Sequence, residues 1–257
     1  SFGMLCSEKE LTLSENHNGI IELDTSSELG LSISDIMDLN DPIIEIEITP
    51  NRGDCLGVRG IARDLATAGM GNLKNLDIKF NDGEFDSIIN WQVDFDEDEK
   101  YLCPKVFGRS FTNLKNDESP LWLKNRLIAV DQRPISSIVD ITNYIMIDIG
   151  RPLHAYDIDK IKGTTLRISK SKKGDKFIAL NGNTYELDDN MLVISDEASV
   201  DDLAGIMGGE RTGVTENTTR MFLEAAIFDP VSIANTGRKL NLNSDARYRF
   251  ERGLDYN

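Results

Sequence analysis

Histidine is nearly absent: the 257 residues hold only His17 and His154, which excludes a His-rich metal site. Cysteine is almost as scarce. Cys6, Cys55 and Cys103 are odd in number, far apart and without a CxxC pair. Neither a disulfide framework nor a zinc site fits that spacing, so no metal site is expected and a reducing cytoplasm is the expected setting. No run approaches the roughly 18–20 apolar residues of a membrane span. No basic start followed by an apolar block marks a secretory signal. Basic residues are also short, 28 against 44 acidic ones, for a net charge of −16. That excess excludes a protein that coats nucleic acid by bulk charge. The sequence has no GxGxxG opening a helix, no Gly-Lys-Ser/Thr, no GxSxG elbow and no HExxH.

What is present is enough apolar material for a packed core, at 40% of the residues. The acidity is uneven. Residues 1–100 carry 22 acidic and 7 basic side chains, whereas residues 101–257 carry 22 and 21. The densest run, Asp94, Asp96, Glu97, Asp98 and Glu99, reads as a solvated connector. The chain opens on Ser1-Phe2-Gly3 and stops soon after Arg252-Gly253-Leu254-Asp255, as expected of a piece of a longer polypeptide.

Periodicity divides the chain. Residues 1–24 read as the end of a preceding unit, with Ile20–Leu23 as a short strand entered through Gly19. Ile44, Ile46 and Ile48 alternate with Glu45 and Glu47, which predicts a half-buried strand. Val58, Ile61, Ala62, Leu65 and Ala68 predict a helix, capped by Asp54 and ended by Gly69. Residues 25–97 thus form a small α+β segment, and a larger unit follows over 98–257. There, Ser119-Pro120 starts a helix, and Ile138, Ile141, Ile145 and Ile149 stripe another over 135–148. Short strands follow between 164 and 195, two of them joined by an Asn181-Gly182 hairpin turn. Leu203–Met207 and Met221–Ala225 read as further strands, and Asp229-Pro230 caps a helix to about Leu240. The expected class is α+β, with a mixed or antiparallel sheet flanked by helices.

Four segments place polar or small residues in apolar surroundings. Thr142-Asn143 sits mid-helix, where Asn competes for backbone bonds. His154 follows that helix directly. Ala204-Gly205-Ile206-Met207-Gly208-Gly209 would expose backbone N–H groups and leave volume empty, as a pocket wall does. Glu224 lies within Phe222-Leu223-Glu224-Ala225-Ala226, and an acid buried there alone costs several kcal/mol. Each also has a plainer reading: a satisfied core Asn, a structural His, a tight turn, a surface-facing acid. None is decisive by itself.

Together they match a family. Gly3-Met4-Leu5-Cys6-Ser7-Glu8 and Gly19–Leu23 resemble the end of the tRNA-binding OB-fold in the β subunit of bacterial phenylalanyl-tRNA synthetase. Thr49–Leu56 and Arg59–Asp64 resemble the segment after it. Arg133-Pro134-Ile135, Val139–Tyr144, Pro152–Asp157, Ala204–Gly209, Phe228–Ile233 and Arg249–Gly253 resemble its editing domain. The match runs in order along essentially the whole chain.

The resemblance implies an α2β2 enzyme that attaches phenylalanine to its tRNA, using ATP and magnesium bound outside this piece, in the α subunit. It implies that the editing domain hydrolyses tyrosine wrongly attached to that tRNA, without a cofactor. By the family pattern, Glu224 meets the tyrosine hydroxyl, and Ala204, Gly205 and Gly208 shape the pocket. Arg133, Thr142, Asn143 and His154 would line the side nearer the ester and terminal adenosine. Ser244 and Ala246 stand at the pocket edge, where Ser244 replaces a more usual Thr and Arg247 replaces a smaller residue. Arg238, Lys239, Arg247, Arg249 and Arg252 would cluster where a tRNA end approaches. The expected partners are the α subunit, the phenylalanine tRNA and tyrosine, with no membrane. No general base is identifiable. The alternatives are a non-catalytic, tRNA-positioning module of the synthetase and a free-standing acidic interaction domain.

Overall fold

The computed structural model of the chain describes residues 4–13, 16–23, 26 and 28–255. Ser1-Phe2-Gly3, at the opening, lie outside them. The backbone divides into two units, Ser1–Pro42 and Ile43–Asn257. In the first, turns dominate among the described residues, and a short helix, α1 (Ile33–Ile36), is capped by the Ser32 side chain. Ile20–Leu23 is not a strand: Ile21 donates one backbone bond to Cys6 and the segment is largely exposed.

The second unit begins with another difference. Residues 43–48 alternate as a strand would, yet they run unpaired through solvent, with Ile43, Ile44 and Ile46 exposed. Alternation makes one face apolar, but a strand exists only when a neighbour accepts its ladder. Helix α2 (Val58–Thr67) follows, with Gly57 rather than Asp54 at its N-cap. Asp54 is taken by two guanidiniums: Arg52 Nε at 2.9 Å and Arg63 Nη2 at 2.9 Å. They hold its carboxyl well below the usual range, Arg52 contributing most. Gly69 ends the helix in the left-handed region, at φ +77°, as its position predicts.

The strands β1 (Asn90–Val93), β2 (Lys105–Phe111), β3 (His154–Asp157), β4 (Thr165–Lys170), β5 (Lys176–Ile178), β6 (Thr184–Glu186), β7 (Leu192–Ser195), β8 (Val200–Leu203), β9 (Met207–Gly208) and β10 (Met221–Ile227) build three sheets among the described residues. One has five strands in the order β1-β4-β7-β8-β9, another has three in the order β2-β10-β3, and β5 pairs with β6. Only β1 against β4 is parallel. Strand β1 lies in the 25–97 segment read as separate from the larger unit, yet it is integral to the larger sheet. The β5–β6 hairpin turns where Asn181-Gly182 predicts, although only Gly182 takes positive φ, at +78°.

Of the helices α3 (Leu121–Ala129), α4 (Ser137–Ile149), α5 (Pro230–Leu240) and α6 (Asp245–Phe250), α4 packs on β3 and α5 on β7, while α3 packs on α4 and α6 on α5. Ser119 does not cap α3. Its hydroxyl instead donates to the buried Asp140 of α4, which also accepts the Ile135 N–H at 2.8 Å. The buried face of α4 carries Ile138, Asp140 and Met146, while Ile141 and Ile149 of the expected stripe are exposed. A buried carboxylate with fixed donors thus outweighs part of the apolar stripe in setting the helix's rotation. Helix α5 begins as read: the Asp229 side chain accepts from Ser232 N at 2.7 Å and proline occupies the first turn. Tyr156, Phe177, Phe222, Leu166, Ile168, Ile194, Leu203 and Ile233 form the centre of the core between sheets and helices. No helix among the described residues is long and apolar enough to cross a membrane.

Gly60 separates two influences on stability. An alanine inside a helix normally gains about 1 kcal/mol over glycine. Here a Cβ would collide with the Asp54 carbonyl, which the Arg52–Asp54–Arg63 knot holds in place. Gly60→Ala is therefore expected to destabilise the chain, by about 1–3 kcal/mol in urea denaturation. Stabilisation would show that the knot is loose.

Candidate functional site

Strand β10 explains how an acid enters the core. Period two puts Phe222, Glu224 and Ala226 on its inward face, and all three are buried. Register then places Glu224 opposite His154 on β3 and opposite Gly108 on β2. Two residues along β3 from His154, on the same face, the fully buried Tyr156 points its hydroxyl between two carboxylates. It lies 3.2 Å from Glu224 Oε2 and makes a shorter contact with Asp202 Oδ2. Asp202 comes from β8, where it pairs with Gly208 of β9, and its Oδ1 accepts the Gly209 N–H at 2.8 Å.

His154 completes the cluster. Its ring meets Tyr156 edge-on at 4.5 Å, and its Nε2 lies 3.6 Å from Asp202 Oδ1, beyond hydrogen-bond length. That Nε2 is buried and has no hydrogen-bond partner among the described residues. Gly208 makes room for the ring, because any Cβ there would collide with the imidazole. Residues 204–206, read as part of a strand, are instead a turn joining β8 to β9, with Gly205 at φ +68°. A Cβ on Gly205 would press on Phe228, Phe250 and Ile233, so that glycine serves close packing beneath the pocket.

The cavity enclosed here has a volume of about 90 Å³ and is lined by His154, Asp202, Ala204, Gly205, Gly208, Glu224, Ala246 and Phe250 among others. Six of the residues singled out from sequence thus meet: His154, Glu224, Ala204, Gly205, Gly208 and Ala246. Ser244 stands just behind. It caps α6 by accepting from Arg247 N at 3.0 Å and donates to Ile206 O at 2.6 Å, which ties that helix to the β8–β9 turn. Arg133, Thr142 and Asn143 do not line the cavity. Arg133 is exposed between α3 and α4, Thr142 Oγ1 donates to Val139 O within α4, and Asn143 is half-buried on that helix.

Sequence reasoning missed Asp202 and Tyr156. The signal for Asp202 was the one used for Glu224, an acid inside an apolar strand. Tyr156 carries the period-two relation to His154.

Burial pushes the Glu224 carboxyl up to about 8, and the Asp202 charge adds to the shift. Burial likewise raises Tyr156, followed by the Asp202 and Glu224 charges. The late basic residues are mostly committed elsewhere. Arg247 is buried and paired with Glu251, Arg249 bonds Leu56 O, Arg252 stacks on Tyr248 and pairs with Glu251, and Lys239 pairs with Asp188; Arg238 is exposed.

The profile of the B3/4 domain matches residues 102–257. This chain belongs to the B3/4 domain family. The phenylalanine–tRNA ligase β subunit of Paramagnetospirillum magneticum is 52% identical over 99% of the chain, and that of Cereibacter sphaeroides is 51% identical over 99%. The chain spans about a third of those relatives, 32% and 31% of their lengths. A solved N-terminal fragment of the phenylalanyl-tRNA synthetase β-subunit from Pyrococcus horikoshii aligns over 69% of this chain and 53% of its own, at 19% identity and a TM-score of 0.41.

A raised carboxyl has a sign in stability. Glu224 binds its proton more tightly folded than unfolded. Its favourable contribution is full below its ordinary value of 4.5 and is lost as pH climbs to about 8. Asp201, pushed to about 7 by burial and the Asp196 charge, adds a slope of the same sign. Glu224→Gln in the B3/4 domain should remove one proton's share, about 1.4 kcal/mol per pH unit, of the fall between pH 5 and 8. Urea denaturation across that range measures it. An unchanged slope would mean that Glu224 is ionised in the folded chain.

Proposed function

We propose that this chain acts within a phenylalanine–tRNA ligase β subunit as its hydrolytic editing module, removing tyrosine mischarged on the phenylalanine tRNA. The observation that carries the reading is the pairing, across one register position, of a buried Glu224 with a His154 whose Nε2 has no hydrogen-bond partner among the described residues. The family membership and the names of the relatives supply the context. Aminoacylation itself, with its ATP, magnesium and α-subunit partner, belongs to the rest of that enzyme in this reading, and the setting is cytoplasmic.

Tyrosine exceeds phenylalanine by one hydroxyl, which an apolar synthetic pocket rejects only weakly. A second pocket with a buried polar group selects for that hydroxyl, because phenylalanine leaves the group unpaired. Glu224 lines the cavity while its Oε2 contacts Tyr156, and the tyrosyl hydroxyl would bond its Oε1. Hydrolysis adds water across the ester. The water oxygen bonds the carbonyl carbon, the ester C–O bond breaks, and the released tRNA ribose oxygen takes a proton. His154 Nε2 and the Gly205–Gly209 backbone orient water and carbonyl, so the rate comes from positioning and oxyanion stabilisation. The ribose hydroxyl beside the ester is available to relay the proton.

The test is deacylation of tyrosyl- against phenylalanyl-tRNA. His154→Ala is expected to slow tyrosyl release at least tenfold. Gly208→Ala, which drives a methyl into the imidazole, should do the same with the fold intact by circular dichroism. Undiminished release by His154→Ala removes that residue from the mechanism. Equal rates on the two tRNAs would favour a non-catalytic, tRNA-positioning role.

A further inference from the structure

One hydroxyl between two carboxylates poses a counting problem. A phenol has a single proton to donate, so Tyr156 can donate to Asp202 or to Glu224 but not to both. The second contact is a hydrogen bond only if one of the acids is protonated and donates to the phenol oxygen. The surroundings of the two acids differ. Asp202 has a fixed donor besides the phenol, the Gly209 N–H at 2.8 Å, and His154 Nε2 stands near the same oxygen. Glu224 has the Tyr156 hydroxyl alone, at 3.2 Å. The better-solvated place for the one negative charge is Asp202.

We propose that Asp202 is a positioning residue of this pocket: by holding the charge and accepting the Tyr156 proton, it confines the shared proton to Glu224, which then faces a ligand as a hydrogen-bond donor. The ligand class follows: a neutral phenolic oxygen, able to accept. The proton placement stands on the cluster's own geometry, and only the identity of the ligand rests on the tyrosine reading. Donation runs one way, from Glu224 to Tyr156 to Asp202, or from Glu224 to a ligand oxygen.

The groups that face Glu224 are few. His154 and Tyr156 come from β3 and Asp202 from β8, with Asp201 beside it but turned to Arg211. Strand β2 presents only Gly108 in register, and the Cys103 thiol ahead of it is pushed up to about 12, chiefly by burial and then by Glu224. Burial and the Asp202 charge both keep Glu224 protonated.

The experiment is a carboxyl-carbon NMR titration of the whole chain with labelled glutamate, in which Glu224→Gln assigns the signal. Glu224 should be mainly protonated at pH 7 and titrate near 8. In Asp202→Asn, which keeps shape and removes charge, its midpoint should fall by about one pH unit or more. Glu224 ionised at pH 7 in the unsubstituted chain, or unmoved by Asp202→Asn, overturns the proposal; the first reading holds even if that variant does not fold. Binding of p-cresol, a phenol without other titrating groups, should weaken at least tenfold from pH 7 to 9.5 and lose that dependence in Glu224→Gln. A phenol that binds equally across that range refutes the donor role. The outcomes separate the two readings. Tyrosyl-tRNA release with Glu224 ionised at pH 7 keeps the editing reading and ends this proposal. A neutral Glu224 without tyrosyl release does the reverse.

Discussion

Two buried acids cannot both carry charge, and much of the architecture around the pocket follows from that limit. An uncompensated buried carboxylate costs several kcal/mol, and a second beside it costs more. The chain accommodates Asp202 and Glu224 by inserting one hydroxyl between them and presenting one backbone N–H to Asp202. Each element has a specific share. Strand β10 delivers Glu224 by alternation, β3 delivers Tyr156 and His154 on one face, and the tight turn at Gly205 brings Gly208 and Gly209 against Asp202. Side-chain absence at Gly208 matters as much as presence elsewhere, since it lets the Cε1 edge of the imidazole approach the backbone.

The same economy explains which parts of the fold sequence patterns reveal. The hairpin at Asn181-Gly182, the Asp229-Pro230 helix start and strand β10 obey local rules, because turn chemistry, capping and alternation act within a few residues. The Ile43–Ile48 alternation and the α4 stripe fail for one common reason. Each describes a face that wants burial, but what covers it is decided by distant chain. No ladder forms beside 43–48, and Asp140 draws α4 toward Ser119 and Ile135. Asp54 and Ser119 illustrate the same competition at helix starts. Both have capping side chains, and both are claimed by stronger partners.

The site was legible in part. Glu224 and His154 stand out because each breaks the apolar pattern around it, and the glycines because three fall close together. Asp201 and Asp202 break the pattern equally, so their spacing alone does not say which one faces the cavity. Register does: Asp202 pairs with Gly208 and reaches Tyr156, whereas Asp201 turns to Arg211. The family resemblance places Thr142, Asn143 and Arg133 at the pocket. They sit on or before α4, away from the cavity wall, where one hydroxyl is spent within the helix.

Charge supplies the final constraint on what this surface does unaided. Arg247, Arg249 and Arg252 are bound into the fold, and the first hundred residues are strongly acidic. RNA affinity from phosphate neutralisation needs several free cations together, and each one lost removes about one released counterion. Arg247, Arg249 and Arg252 cannot serve both the α6 packing and a phosphate backbone. In the editing reading, discrimination in this pocket does not depend on long-range attraction; with the proposed proton placement it depends on whether a small buried cluster, holding one negative charge and one proton, finds an oxygen to accept that proton's hydrogen bond. In that reading such a site distinguishes ligands differing by one hydroxyl because only Glu224, His154 and Asp202 are polar side chains in a wall that is otherwise apolar or backbone.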